Sequence, residues 1–171
     1  MSGSTLSAQP RLLWSSSGRA PATVVTAAGL YILARSGNVI LPATTNSDIN
    51  TLILINQADL EVYERETLFR YNVRFAAANV APNANVYASV HELANIAGTG
   101  ASGNLVLGAE VTAARSATMA LPGANAISDE LRSPDFTLPN DGIFCIGLTF
   151  SAALASTSLA AIVLNFGVFA R

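Results

Sequence analysis

From Phe69 to Phe75 apolar and polar positions alternate without a break. Phe69, Tyr71, Val73 and Phe75 fall on one side, and Arg70, Asn72 and Arg74 fall on the other. Side chains of a strand point alternately to its two faces, so this order predicts a half-buried antiparallel strand. Near the C-terminus residues 143–150 and 162–169 are rich in β-branched and aromatic residues, again the composition of strands. In the second of these, Ile162, Leu164, Phe166 and Val168 share one face, with Asn165 and Gly167 on the other.

Turn residues punctuate the rest of the chain at the short intervals of an all-β sandwich or barrel. Strands are expected at residues 22–27, 30–34 and 39–41, followed by a polar loop over 42–50. Residues 52–55 form a continuous apolar run, as in a strand covered on both faces. Residues 60–75 read as one bent strand or a strand pair, and 86–93 as the next strand. Around a glycine-rich tip at 98–103 lie short strands at 105–107, 110–113 and 118–121. A loop over 122–132, with a helical turn at 127–131, leads to three closing strands at 135–138, 143–150 and 160–169. Eight or more such strands with several long loops suit a single jelly roll better than an up-and-down barrel. Residues 1–20, polar and Ser-rich around Leu12, Leu13 and Trp14, read as an extended N-terminal arm to a jelly-roll domain over 21–171.

Composition adds a constraint on the surface. The chain has 171 residues, of which 12% are charged and 51% hydrophobic, and all nine of its cations are arginine. A free monomer of this size normally covers itself with charge. This chain either meets lipid or is covered by protein. Residues 142–170 carry no charge and are long enough to span a bilayer. Their centre, however, is hydroxyl-rich at Ser156, Thr157 and Ser158, no cationic cluster flanks them, and both halves read as strands. Protein partners are the better expectation. The N-terminus lacks a basic segment followed by an apolar one, so no secretory signal is expected. A net charge of −2 with dispersed arginines gives no reason to expect nucleic acid.

Few residues offer chemistry. His91, the one histidine, shares a face with Tyr87 and Ser89, while Glu92 points away, so it reads as a polar residue near a strand end. Cys145 has no cysteine partner and lies in an apolar run, as a buried small hydrophobe does. Glu64 and Glu66 share a strand face, but Arg65 and exposure explain them equally well. Asp129 and Glu130 lie near Arg132, the makings of a local ion pair. Asn46, Asp48 and Asn50 have the spacing of oxygen ligands but lack the glycine and closing glutamate of a calcium loop. The glycines of 98–103 have no following lysine and make a poor phosphate loop. No catalytic residue, metal site or cofactor is expected.

The segment from Ser133 to Leu148 pairs an apolar stretch ending in Leu138-Pro139 with a short turn closing on Gly142 and an alternating strand. This cadence resembles the penultimate hairpin of jelly-roll virion proteins of bacteriophages. Those include capsid cement (decoration) proteins and trimeric modules of tumour-necrosis-factor-like shape. The resemblance runs on through residues 160–171 and covers about forty residues. It implies a non-enzymatic virion protein, a homotrimer bound to the major capsid protein on the capsid exterior and made in the host cytoplasm. A receptor- or carbohydrate-binding head of a fibre, or a single-jelly-roll capsid subunit, are the alternatives. Coat proteins that enclose RNA resemble one another in a strongly basic arm, whereas residues 1–20 carry only Arg11 and Arg19. The interface candidates are Arg11, Leu12, Leu13 and Trp14 on the arm, and Arg70 and Arg74 on the alternating strand.

Overall fold

The alternation at Phe69–Phe75 is realised in strand β5 (Phe69–Ala77), whose odd-numbered residues are buried and whose even-numbered ones reach the surface. The fold is known from a computed structural model that describes residues 11–21, 25–33, 39–40, 54–56, 68–77, 82–97, 104–138, 143–154 and 161–170. The other strands are β1 (Arg11–Pro21), β2 (Gly29–Leu33), β3 (Val39–Ile40), β4 (Leu54–Asn56) and β6 (Asn85–Ala97). After these come β7 (Asn104–Glu110), β8 (Met119–Ala120), β9 (Leu131–Arg132), β10 (Ile143–Phe150) and β11 (Ala161–Ala170).

Two antiparallel sheets result, one ordered β1-β11-β5-β9 and the other β3-β2-β10-β6-β7, with β4 and β8 as short additions. Leave aside the two short additions and β3, and number the remaining strands in chain order. The sheets then read first-eighth-third-sixth and second-seventh-fourth-fifth. That interleaving is the paired Greek key of a jelly roll. The chain is an all-β sandwich of this kind.

The core lies between the sheets. Phe69, Tyr71, Val73 and Phe75 of β5 face Phe144, Ile146, Leu148 and Phe150 of β10 and Val86, Ala88 and Val90 of β6. Each large apolar side chain so buried contributes about 1.5–3 kcal/mol. Tyr71 reaches across this layer, its hydroxyl 2.8 Å from the Ala88 carbonyl oxygen and 2.5 Å from that of Ala114. The central strand β10 is covered on its other face as well. Cys145 is fully buried there with Ile32, beside Leu30, Leu93 and Leu107.

Several expectations are corrected. No strand forms over the described part of 22–27; Val25 is buried and its carbonyl accepts from Leu154 N–H. Residues 104–110 make one strand, and 112–114 make a single 3-10 turn where a further strand was expected. The helical turn at 127–131 is absent, because this edge runs extended along β5. It bridges Ala76 at Ile127, pairs through β9, and bridges Phe69 at Phe136. Residues 135–138 are not a regular strand, since Pro134 supplies no N–H and only Phe136 exchanges hydrogen bonds with β5. Residues 11–20, grouped by composition with the arm, lie in β1, which is hydrogen-bonded along the length of β11. Expectations at 42–50, 57–67, 98–103 and 1–10 lie outside the described residues. Among the described residues no helix is long and apolar enough to cross a membrane.

Candidate functional site

The register of the four-stranded sheet sets three successive rows side by side around the even-numbered residues Arg70, Asn72 and Arg74 of β5. Leu12 lies opposite Phe169, which lies opposite Arg70. In the next row come Ser15, Gly167, Asn72 and Arg132, and beyond it the backbone of β1 at Ser17 and of β11 at Asn165 runs in register with Arg74. Gly167, at the centre of these rows, leaves room for its neighbours. An added Cβ there would stand 3.0 Å from the Phe169 ring and 3.1 Å from Asn72 Oδ1, so ring and amide close over bare backbone.

An open groove of about 350 Å³ follows, lined by Leu12, Ser15, Asn72, Arg74, Glu130, Gly167 and Phe169. Glu130 is held on one side by Arg132 Nη2 at 2.7 Å and on the other by the Asn72 amide, which donates to it. The hydrogen bond from Arg132 is the main cause that keeps the Glu130 carboxyl ionised below its usual range. Arg70 is tied to Asp135 at 2.9 Å. Arg74 is exposed and makes no ion pair among the described residues.

Of the residues singled out by sequence, the structure brings Leu12 and Arg74 into one groove and sets Arg70 at its rim. Leu12 is 51% exposed. Leu13 is the extra residue of a bulge between Leu12 and Trp14, and Arg11 opens β1 opposite Ala170. The side chains of Arg11, Leu13 and Trp14 lie outside the described ones. Phe169, Asn72, Glu130 and Gly167 were not singled out. Alternation placed Gly167 and Asn72 on outward faces, but which strands lie side by side is a property of the topology, and only that joins them.

A second polar group sits on the other sheet. His91 is in the middle of β6 and not near its end, because β6 continues to Ala97 through two bulges. Ser89 Oγ and His91 Nε2 are 2.9 Å apart, and Glu110 of β7 lies opposite His91. Glu110 gives both oxygens to Arg115, at 2.7 and 2.6 Å, and the Arg115 guanidinium lies 4.9 Å above the Tyr87 ring. Burial lowers the His91 pKa, against the opposing pull of Glu110. Ser89 is 1% exposed, and the carboxylate that would orient the histidine is committed to arginine. This group joins β6 to β7. Cys145 is buried beside it, its thiol pushed up to about 12 by desolvation, which leaves it a protonated packing residue. Among the described residues no three metal-ligating side chains converge.

No family model matches the chain, and no curated protein is similar to it. It is similar to a chain of the cryo-electron-microscopy structure of broad bean stain virus. The identity is 12%, with 98% of this chain and 88% of that chain covered, at a TM-score of 0.39.

Proposed function

We propose that the chain is a non-enzymatic structural protein of a virus particle, a cement protein that associates as a homotrimer and bridges subunits of the capsid exterior. The observation that carries this reading is a jelly-roll sandwich whose surface is poor in free charge. Only 12% of residues are charged, and three of the described arginines are already tied to neighbouring carboxylates. Leu12, Leu68 and Ile127 meanwhile stand exposed. Such a surface gains by being covered with protein, and many small contacts repeated around a symmetric assembly add up through multivalency. Jelly rolls serve in viral capsids and also in lectin domains and cupins, so topology alone supports this role by analogy.

The test begins with the mass of the purified chain in solution, expected near three times 17.7 kDa. Co-sedimentation with shells built from the capsid protein of the same genome should then capture those trimers. A stable monomer that ignores such shells would overturn the proposal. Closed shells formed by this chain alone would overturn the cement role in favour of a capsid subunit.

A further inference from the structure

We propose that the groove on the outer face of the four-stranded sheet binds a saccharide unit that carries a carboxylate. In this site Phe169 is the stacking platform and Arg74 the anchor for the acid. The proposal goes beyond the assembly role above and does not depend on it.

Three features of the groove lead there. Its volume of about 350 Å³ lies at the small end of the range for small-molecule sites, and it is open along one side, so it suits one ring of a longer chain. Its floor is apolar where the Phe169 ring lies back along the strand and covers Gly167. A sugar ring presents a face of C–H groups, and an aromatic ring is the surface such a face packs on. Its walls then mix hydrogen-bonding types: Arg74 and Ser15 donate, and Glu130 and Asn72 Oδ1 accept. Hydroxyl groups both donate and accept, so an alternating wall suits a polyol better than it suits a simple ion.

Charge selects among sugars. Arg132 and the Asn72 amide already occupy Glu130, while Arg74 is without an ion-pair partner among the described residues. The two arginines against one glutamate leave the groove locally positive, although the chain as a whole is at −2. A guanidinium takes a carboxylate through two parallel hydrogen bonds, which fixes the orientation of the ring beside it. A hydrophobic peptide would leave Arg74 and Glu130 desolvated without new partners, so a peptide is the less favoured occupant.

Calorimetric titration of the purified chain with N-acetylneuraminate, glucuronate and glucose tests the site. The two acids should bind, and glucose should bind more weakly by about tenfold or more. Arg74→Ala should reduce the acids to the level of glucose, and Phe169→Ala should weaken all three. Arg74 is exposed, so Arg74→Ala should leave the fold intact, and that variant is decisive even if Phe169→Ala misfolds. Thr118→Ala, exposed in the loop that leads into β8 and away from the groove, should bind as the unaltered chain does. The proposal is overturned if none of the three sugars binds, or if Arg74→Ala binds the acids undiminished.

Discussion

Ser133 and Tyr71 exchange two hydrogen bonds across the edge of the four-stranded sheet. Tyr71 N–H donates to Ser133 Oγ at 2.9 Å, and Ser133 N–H donates to the Tyr71 carbonyl at 3.1 Å. The hydroxyl stands in for a strand carbonyl, so a loop residue satisfies both backbone groups of a strand residue. The same clip recurs at Ser116 with Ala88, Ser128 with Phe75 and Ser151 with Asn85. Four strand positions without a regular neighbour are thereby closed.

The clips differ in burial, and their cost of removal should follow it. Ser116 and Ser133 are buried. Replacing either by Ala leaves a strand N–H unpaired away from water and should destabilise the fold by about 1–3 kcal/mol. The bond at Ser151 is exposed, and water can replace the hydroxyl there, so Ser151→Ala should cost less than about 0.5 kcal/mol. Denaturant midpoints of the three variants at unchanged m-value check the order. Equal losses at Ser151 and Ser133 would contradict the argument.

Tyr71 also links two clipped positions, because its hydroxyl approaches the carbonyl oxygens of both Ala88 and Ala114. One proton serves the two, and Ala88 keeps the N–H of Ser116 if the hydroxyl is lost. Tyr71→Phe therefore orphans chiefly the Ala114 carbonyl, for a loss of about 1–2 kcal/mol. Burial raises the Tyr71 pKa above its usual 10.0. The unfolded chain then releases this proton first as the solution becomes alkaline, so stability falls from about pH 10 upward. Tyr71→Phe should flatten that alkaline limb, which urea titrations on either side of the limb would reveal.

Two glycines of the seven-stranded sheet should respond to Ala by different amounts and for different reasons. Gly29 has φ +147°, outside the regions an L side chain adopts, although a Cβ there would meet nothing within 4 Å. Gly29→Ala should cost about 1–3 kcal/mol through backbone strain alone. At Gly147 the backbone is ordinary, and a Cβ would instead stand 2.5 Å from Leu30 Cδ1, the tip of a partly exposed side chain that can swing aside. Gly147→Ala should change stability by less than about 1 kcal/mol, because the displaced tip is offset by a less flexible unfolded chain. Thermal midpoints of both variants decide, and a larger loss at Gly147 would show that Leu30 has nowhere to move.

The parts of this fold that were legible in the sequence are those where one face is buried. β5 carries period-2 order because water lies on one side of it, and β10 declares itself by an apolar run because both its faces are covered. β1 was hidden by its Ser15-Ser16-Ser17-Gly18 stretch, whose strand character comes from pairing with β11 and not from propensity. The far half of β6 was hidden by bulges, which shift the register between His91 and Leu93 and again before Asn95. The clips could not be read at all. A serine that caps a strand looks like any serine in a loop, and its partner lies 28 to 66 residues away. The groove was half legible: Arg70 and Arg74 were singled out as outward residues, but Phe169 and Gly167 join them only through the adjacency of β11 and β5.

Acid should unfold this protein in two steps that begin at different residues. His91 faces Ser89 on its own strand, Glu110 and Arg115 from the β7 side, and the protonated Cys145 from β10. Burial is the largest influence on it and lowers its pKa below 6.5. As pH falls through about 6.5 the unfolded chain binds this proton before the folded one does, so stability present at neutral pH declines. Glu110, whose carboxyl is held below its ordinary range by the Arg115 hydrogen bonds, adds a later loss that begins near pH 4.5. Glu130 contributes to the same later limb through Arg132. Calorimetric melting temperatures should thus fall first between about pH 7 and 5 and again below about pH 4.5. His91→Asn should remove the first decline and leave the second, whereas Glu110→Gln should shrink the second and, by removing the charge that pulls the His91 pKa up, deepen the first. A melting temperature that stays level down to about pH 5 would show that His91 takes up its proton as readily folded as unfolded.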